Sequence, residues 1–363
     1  MSVDCVSCER YACRVGRIDA TPNNCPMRGH FPSFDHLYAA EDVRTLLYES
    51  ARVEADGYGR WTRVREVTEL AARLGYERIG VAYCPDMERE ARLAADSFAE
   101  RGLGVTLPDP RADCDPRGQA ERMARDGTQL NVIAGMCVGH DTLFIRRSKA
   151  PVTSLVVRDL RLAHNPVAAL YTRQGYLKTA LYGVREKPLP GRFKGWSDEL
   201  IDRAAREVRD EGRRRDMPPC RIEEIMDFAR RTGVTHVGLV YCVGFRHEAR
   251  DLAAVLGTNG FRISSSCCKT GAVPKEAIGI TDADKVHPGR PEMTCNPVAQ
   301  AELLEGSEVE LVLLLGQCAG HDSATMARLR TPAVCVAAKD RVLAHNTVAA
   351  LYQRERSGRL DPG

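Results

Sequence analysis

The stretch LNVIAGMCVGHDTLFIRRSKAPVTSLVVRDLRLAHNPVAALY, residues 130–171, decides the fold because it occurs twice. Its second copy, LVLLLGQCAGHDSATMARLRTPAVCVAAKDRVLAHNTVAALY, spans residues 311–352. The Cys-x-Gly-His-Asp element at residues 137–141 returns at residues 318–322, and the His-Asn pair at 164–165 returns at 345–346. Identity at one constant offset across the whole stretch indicates an internal duplication.

Outward from these two copies, apolar runs of strand length alternate with helical patterns. The predicted strands cover residues 78–84, 102–107, 130–137 and 151–157 in the first repeat, and 237–242, 261–267 and 311–318 in the second. Runs that are apolar throughout are typical of parallel strands covered by helices on both faces. We therefore predict an α/β fold with two tandem Rossmann-like or flavodoxin-like parallel-sheet repeats, preceded by a small cysteine-rich metal-binding module.

The predicted domain organisation has five parts, as expected for a chain too long for one typical core. They are a four-cysteine metal-binding module (1–33), a first α/β repeat with N-terminal helices (34–171), a charged helical connector (172–218), a second, cysteine-rich α/β repeat (219–355) and a tail (356–363). The connector has the composition of a solvated helix between domains. The apolar spacing in residues 34–73 predicts helices that pack against the first repeat.

Composition excludes several classes of function. The net charge is +3 without any long basic block, so nucleic-acid binding has no positive support. No apolar run reaches the roughly 20 residues that a membrane span needs. The N-terminal residues MSVDCVSCERYACR do not form an apolar signal segment, and we expect a cytoplasmic protein. In a reducing compartment, fourteen cysteines are more typical of metal or redox sites than of disulfides.

Four cysteines of the N-terminal module follow the pattern C-x2-C-x4-C-x11-C: Cys5, Cys8, Cys13 and Cys25. A Cys-x2-Cys pair presents two sulfurs to one ion, and two further thiols complete four-coordination. Such a set suits zinc or an iron-sulfur cluster equally. His30 is an alternative fourth ligand.

The repeats carry a second group of candidate metal ligands. In the second repeat they are Cys242, Cys267, Cys268, Cys295, Cys318 and His321, and in the first they are Cys84, Cys114, Cys137 and His140. Most end predicted strands, and parallel strands bring their carboxyl ends to one edge of a sheet, where such folds bind ligands. Asn296 and Pro297 indicate that Cys295 stands at a helix start, which favours the thiolate.

Alternative interpretations stay open for these residues. The cysteines could be small buried hydrophobic residues, which is the better interpretation for Cys220 and Cys335 outside the pattern. In the Cys-x-Gly-His-Asp element, glycine would permit a sharp turn and the aspartate would cap the next helix. His164 and His345 are typical of helix starts, and Asp159 and Asp340 of residues that orient backbone amides. The first repeat, with fewer cysteines, could be a degenerate, structural copy.

Several motifs resemble an uncharacterised prokaryotic family of metal-binding proteins, the DUF1847 type. They are CVSCERYACR, NNCPMR, RIEEIMDFARR, SSSCCK, MTCNPVAQAELL, GQCAGHDS and KDRVLAHNTVAALY. The resemblance covers the N-terminal module and residues 221–352, and reaches residues 78–171 through the repeat. Family members have one such α/β unit, so the doubled unit departs from the pattern. The resemblance implies metal binding and no particular reaction.

Three functions remain open. The first is an iron-sulfur protein with a redox or reductive role, which as an enzyme would be a metal- or cluster-dependent oxidoreductase. The second is a zinc-binding protein for structure, sensing or metal delivery. The third is a thiol enzyme that uses Cys267 or Cys268 as nucleophile. A redox partner or a small-molecule substrate is expected, and the two repeats could form a pseudo-dimer.

Overall fold

The computed structural model describes residues 3–28, 34–109, 114–183 and 193–357 of the chain. Its helices are α1 (Phe34–Leu37), α2 (Glu41–Gly57), α3 (Arg63–Arg73), α4 (Glu88–Ala99), α5 (Pro116–Arg125), α6 (Val138–Arg147), α7 (Val167–Tyr171), α8 (Lys178–Tyr182), α9 (Asp198–Arg213), α10 (Arg221–Thr232), α11 (Arg246–Thr258), α12 (Pro297–Glu305), α13 (Ala319–Arg328) and α14 (Val348–Ser357). Its strands are β1 (Arg78–Ala82), β2 (Gly104–Thr106), β3 (Leu130–Ala134), β4 (Val152–Val156), β5 (His236–Tyr241), β6 (Arg262–Cys267), β7 (Leu311–Leu315) and β8 (Ala333–Ala337).

The eight strands form two four-stranded parallel sheets with the same strand order. The first sheet runs β2-β1-β3-β4 and the second β6-β5-β7-β8, and every pairing within them is parallel. The residues of β3, β4, β5, β7 and β8 are all buried, because helices lie against both faces of each sheet. The predicted α/β class with two parallel-sheet repeats is confirmed.

Three predicted strands that carry cysteines are shorter than expected, and this changes where the cysteines stand. β1 ends at Ala82, so Cys84 lies two residues beyond the strand instead of ending it. β3 ends at Ala134 and β7 at Leu315, because the next residues, Gly135 and Gly316, have φ of 92° and 66°. Glycine adopts this left-handed conformation at little steric cost. The chain turns there, so Cys137 and Cys318 are the residues that begin α6 and α13 instead of ending strands.

Within the predicted connector, α9 is amphipathic instead of solvated all round. Ser197 caps its N-terminus by accepting a hydrogen bond from the Leu200 N–H at 3.2 Å. Ile201, Ala204 and Val208 are buried, and the helix packs against α6 and α10. The polar residues that dominate its composition occupy only the outward stripe, which is why composition alone suggested a solvated helix.

Helices α2 and α3 also differ from their expected role of packing on the first repeat alone. α2 packs on α13 of the second repeat, and α3 contacts both α13 and β4. The two repeats share a core as well, because Ile133 and Phe144 belong to the same buried apolar cluster as Leu314 and Met326. Close packing of this kind makes the repeats mechanically dependent on each other.

Two buried arginines cross between the repeats in equivalent ways. Arg63, at the start of α3, donates from Nη2 to Asp322 Oδ2 at 2.6 Å and from Nη1 to the Gln317 carbonyl at 2.9 Å. Its own backbone N–H donates to Asp340 Oδ2 at 2.9 Å. Its side chain is fully buried, so these contacts replace water around a permanent charge.

Arg221, at the start of α10, makes the reciprocal contacts. It forms a short ion pair with Asp141, donates to the Met136 carbonyl at 2.8 Å, and its N–H donates to Asp159 Oδ2 at 2.9 Å. Asp141 and Asp322, considered as helix caps from the sequence, are therefore partners of an arginine from the other repeat. Asp159 accepts from the Leu162 N–H at 2.9 Å as well, as expected for a residue that orients backbone amides.

The N-terminal module lies against the edge strand of the second sheet. The Ser265 N–H donates to the Val3 carbonyl at 2.7 Å, and the Cys5 N–H donates to the Ser265 carbonyl at 3.0 Å. The module thereby satisfies the exposed edge of β6 with backbone hydrogen bonds. His30 lies outside the described residues.

We expect Arg63→Ala and Arg221→Ala each to lower the free energy of unfolding by about 3–5 kcal/mol, because each leaves a buried aspartate without its cation. Arg17→Ala is the control, since the Arg17–Asp19 pair is exposed to solvent and its loss should leave the stability unchanged. Urea unfolding monitored by circular dichroism measures all three. Losses below about 1 kcal/mol for both buried arginines would contradict their proposed role.

Candidate metal centres

Three groups of cysteines come together in the structure, and each is named here by its members. The first-repeat centre consists of Cys84, Cys114, Cys137 and His140. The second-repeat centre consists of Cys242, Cys268, Cys295, Cys318 and His321. The module centre consists of Cys5, Cys8, Cys13, Cys25 and Cys267.

In the first-repeat centre, loops after β1 and β3 and before α5 bring the ligand atoms together. The Cys84 and Cys114 sulfurs lie 2.9 Å apart. The sulfurs of Cys84 and Cys137 and a ring nitrogen of His140 all lie within 4.8 Å of one another, and the three residues are buried. Three thiols and one imidazole make the donor set of a four-coordinate zinc site.

His140 supplies a separate indication that this group fits a metal ion. Its ring is 1% exposed, and neither nitrogen makes a hydrogen bond of normal geometry within the described part of the chain. The nearest carboxylate oxygen, Asp202 Oδ1 of α9, is 3.6 Å from Nε2. A buried imidazole that lacks well-formed hydrogen bonds is costly, and a metal ion would bind one of its nitrogens directly.

The three thiols of this centre share protons unequally. Cys84 donates toward Cys114 and Cys137, so its pKa is raised well above the usual value. Acceptance from Cys84 lowers the pKa of Cys114 to about 7 and lowers that of Cys137 further. Burial opposes both decreases. Thiolates are the form of cysteine that binds metal, so Cys114 and Cys137 favour a cation, whereas Cys84 would lose its proton on binding one.

In the second-repeat centre, Cys268 is the central thiol. It donates toward Cys242 and Cys295, which raises its own pKa and lowers theirs. Its sulfur also accepts from the Val243 N–H at 3.2 Å. His321 lies beside Cys295 and Cys318, is 3% exposed, and its Nε2 has no hydrogen-bond partner among the described residues. This repeats the feature seen at His140.

Two lysines distinguish the second-repeat centre from the first. Lys339 Nζ lies 3.0 Å from the Cys242 sulfur and 3.5 Å from that of Cys318, and Lys269 Nζ lies 3.5 Å from that of Cys295. Hydrogen bonding from Cys268 and the charge of Lys339 lower the pKa of Cys242 to about 5. Anionic sulfur is therefore stabilised here even though it is buried.

The module centre surrounds a cavity of about 250 Å³ that all five of its cysteines line. Its four N-terminal cysteines are only partly buried, whereas Cys267 is buried. Cys13 and Cys267 contact each other through their thiols. Because Cys267 ends β6 and Cys268 follows it, their side chains leave the strand on different sides and connect the module centre with the second-repeat centre.

Cys267 was grouped with the second-repeat ligands from the sequence; it contacts Cys268 of that centre and also Cys13 of the module. No local pattern indicated that the module would dock on β6. Cys220 and Cys335 lie outside the three groups, as their positions outside the pattern suggested. His164 and His345 have φ of 63° and 67° and accept from the N–H of Asp159 and Asp340 instead of beginning a helix.

Sequence reasoning missed several charged residues that border the centres. Glu54, on α2, forms an ion pair with Arg341 and lies 3.9 Å from Lys339 Nζ. Asp202, on α9, lies beside His140. Both carboxylates come from helices that cover a centre from outside its sheet. In the sequence, these two carboxylates are indicated only by the helical pattern that precedes each repeat. Those helices contain no cysteine that would mark them as part of a site.

Glycine in the Cys-x-Gly-His-Asp element serves helix packing instead of a turn. A Cβ on Gly139 would lie 2.5 Å from Ala205 Cβ of α9, and one on Gly320 would lie 1.7 Å from Ser50 Oγ of α2. Neither glycine has a positive φ. The absent side chain lets α9 and α2 cross directly over the two histidines.

Comparisons with known proteins match this chain to one family. The family model described as "Protein of unknown function (DUF1847)" matches residues 27–107, 108–155 and 192–336. An uncharacterised protein of Methanocaldococcus jannaschii is 35% identical over 165 residues, which are 40% of this chain and 85% of that protein.

Similar solved structures include Dph2 from Pyrococcus horikoshii with a 4Fe-4S cluster, at 13% identity and a TM-score of 0.23, covering 82% of this chain and 92% of that one. Aspartate transcarbamoylase from Trypanosoma cruzi matches at 11% identity and a TM-score of 0.24, covering 84% and 95%.

We expect Gly139→Ala and Gly320→Ala to lower the free energy of unfolding by about 1–3 kcal/mol, because the added methyl group pushes the covering helix away. Gly257→Ala in α11 is the matched control. Its Cβ would meet only Ile263 Cδ1, at 3.8 Å, so about 0.4–1 kcal/mol of stabilisation is expected. Denaturant titration compares the three variants, and equal stability of all of them would contradict the packing role.

Proposed function

This chain belongs to the DUF1847 family, and from that premise we propose that it is a metalloprotein with a zinc centre in its first repeat and iron-sulfur chemistry in its second. The observation that carries metal binding is the first-repeat centre, where buried ligand atoms of Cys84, Cys137 and His140 lie within 4.8 Å of one another. Cys114, 2.9 Å from Cys84, completes the set.

The donor chemistry supports different metals at different centres. Three cysteines and one histidine suit a closed, four-coordinate zinc site, which contributes directly to folding stability. Asp202 of α9 lies 3.6 Å from His140 Nε2, so α9 would hold the imidazole in a fixed orientation. The first-repeat centre would therefore hold a structural zinc ion.

The module and second-repeat centres are richer in sulfur, which favours iron-sulfur clusters held by cysteine thiolates. A cluster bound there would supply one-electron transfer. Lys339 and Lys269 donate to the sulfurs of Cys242, Cys318 and Cys295 and would stabilise the added electron. Contact between Cys267 and Cys268 joins the two centres, and the partly buried module is the side that a redox partner would approach.

A thiol enzyme is the second candidate function, and Cys242 is then the favoured nucleophile. Cys268 donates to its neighbours and has a raised pKa, which makes it a poor nucleophile. Cys242 has a lowered pKa, contacts Lys339 and lines a cavity. It is therefore a better nucleophile than Cys268.

For the zinc centre, we expect Cys84→Ser and His140→Ala to lose one zinc ion per chain. Cys335→Ala should keep the full metal content, because its thiol is buried but contacts none of the three centres. Inductively coupled plasma mass spectrometry of protein purified without oxygen measures the difference. Unchanged zinc in both ligand variants would refute the site.

For the iron-sulfur centres, we expect broad visible absorption in the anaerobically purified protein. Cys267→Ala and Cys268→Ala should each lose part of the iron and sulfide, and the double variant should lose most of both, because the two residues serve adjacent centres. Cys220→Ala is the control. A colourless wild-type protein that contains only zinc would refute the iron-sulfur assignment while leaving metal binding intact.

A further inference from the structure

A cavity of about 640 Å³ opens above the second-repeat centre, and Cys242 and Cys295 form part of its lining. Seven cationic side chains line it: Arg14, Arg246, Lys269, Lys275, Arg290, Lys339 and Arg341. Two carboxylates, Glu54 and Glu292, are the acidic residues in the same lining. Such an excess is notable for a chain whose overall net charge is only +3.

The contacts of these side chains leave part of the positive charge uncompensated. Glu292 pairs with Lys275 at 2.8 Å, and Glu54 pairs with Arg341. Lys269 and Lys339 point toward cysteine sulfurs, as described above. Three guanidinium groups remain, and within the described part of the chain no carboxylate pairs with them. They belong to Arg14, Arg246 and Arg290.

A second cavity of similar size provides an internal comparison. It has a volume of about 690 Å³ and lies beside Pro108 in the first repeat. Among the described residues, its lining holds three arginines, Arg78, Arg122 and Arg125, against four carboxylates, those of Asp109, Asp115, Glu121 and Asp126. The described linings of the two cavities therefore differ in charge, and the one over the second-repeat centre is cationic.

Divergence between the repeats explains how this character arose. At the second residue after the strand-end cysteine, the first repeat has Asp86, which accepts from Arg158 at 2.9 Å. The second repeat has Gly244 at that position, and Lys339 stands where the first repeat has Arg158. Gly244 lines the cavity and supplies no carboxylate. Without the carboxylate that Asp86 supplies in the first repeat, the second repeat has more space at this position and less negative charge to offset the cations.

We propose that this cavity binds a small organic polyanion, with phosphate or carboxylate groups, directly over the sulfurs of the second-repeat centre. Guanidinium groups bind both kinds of anion with two parallel hydrogen bonds. The volume is in the range of small-molecule sites. Tyr58 and His287 form an edge-to-face pair, with ring centroids 5.9 Å apart, on one wall that could contact the organic part.

Anion binding follows from the charge of the cavity alone. Whether the bound anion is also the substrate of a metal centre rests on the proposed function. The experiment therefore measures anion binding and metal content separately. Arg246 and Arg290 are the residues to change, because they contact no cysteine and form no ion pair within the described residues.

The test is isothermal titration of the metal-loaded protein with pyrophosphate, ATP and citrate at low salt, with adenosine as the neutral probe. We expect one site per chain for at least one of the anions and none for adenosine. Arg246→Ala and Arg290→Ala should each weaken binding about tenfold. Arg125→Ala, an exposed arginine of the other cavity, should leave it unchanged.

Preference for pyrophosphate and ATP identifies a phosphate ligand, and preference for citrate identifies a carboxylate ligand; either supports the site. Absence of binding of all three anions below about 1 mM, or equal binding by the Arg246, Arg290 and Arg125 variants, overturns it. Metal content is measured in parallel. Arginine variants that keep their metal but lose anion binding support the anion site, whereas a wild-type protein that binds anions without iron refutes only the metal assignment.

Discussion

The structure depends on two buried arginines that each begin a helix of one repeat and neutralise an aspartate of the other. Arg63 binds Asp322 and Arg221 binds Asp141, and each arginine also donates to the carbonyl just before the Cys-x-Gly-His-Asp element of the other repeat. A buried guanidinium is tolerable only when its donors are satisfied, so neither repeat can hold its loop in place alone. The thiols beside those loops are positioned by the same contacts.

The covering helices extend this mutual dependence to the centres themselves. α2 crosses the second-repeat centre and α9 crosses the first-repeat centre, each over a glycine that leaves room for it. Because these helices exclude water, the two histidines lie buried beside thiols with an unpartnered nitrogen. Desolvation and proximity to sulfur together make each centre suited to a cation.

The two repeats share these arginine–aspartate contacts and covering helices but differ in the charged residues beside their cysteines. In the first repeat, Arg158 pairs with Glu224 at 3.0 Å and with Asp86, so carboxylates neutralise its charge. In the second repeat, Lys339 contacts Cys242 and Cys318 instead, and the neighbouring cavity is cationic. Ion pairs therefore use the charge of Arg158 in the first repeat, whereas the centre of the second repeat borders a cationic cavity.

The sequence by itself determined the duplication, the parallel sheets and most of the residues that cluster as candidate ligands, because these follow from local apolar patterns and from residues repeated at fixed spacing. Asn296, for example, caps α12 as its position before Pro297 predicted. Only the tertiary structure decided that Cys267 joins the N-terminal module, that Asp141 and Asp322 serve distant arginines, and that Glu54 and Asp202 border the centres. The physical reason is that these contacts join residues far apart in the chain, and local spacing carries no information about which distant surface a helix or a docked segment will cover.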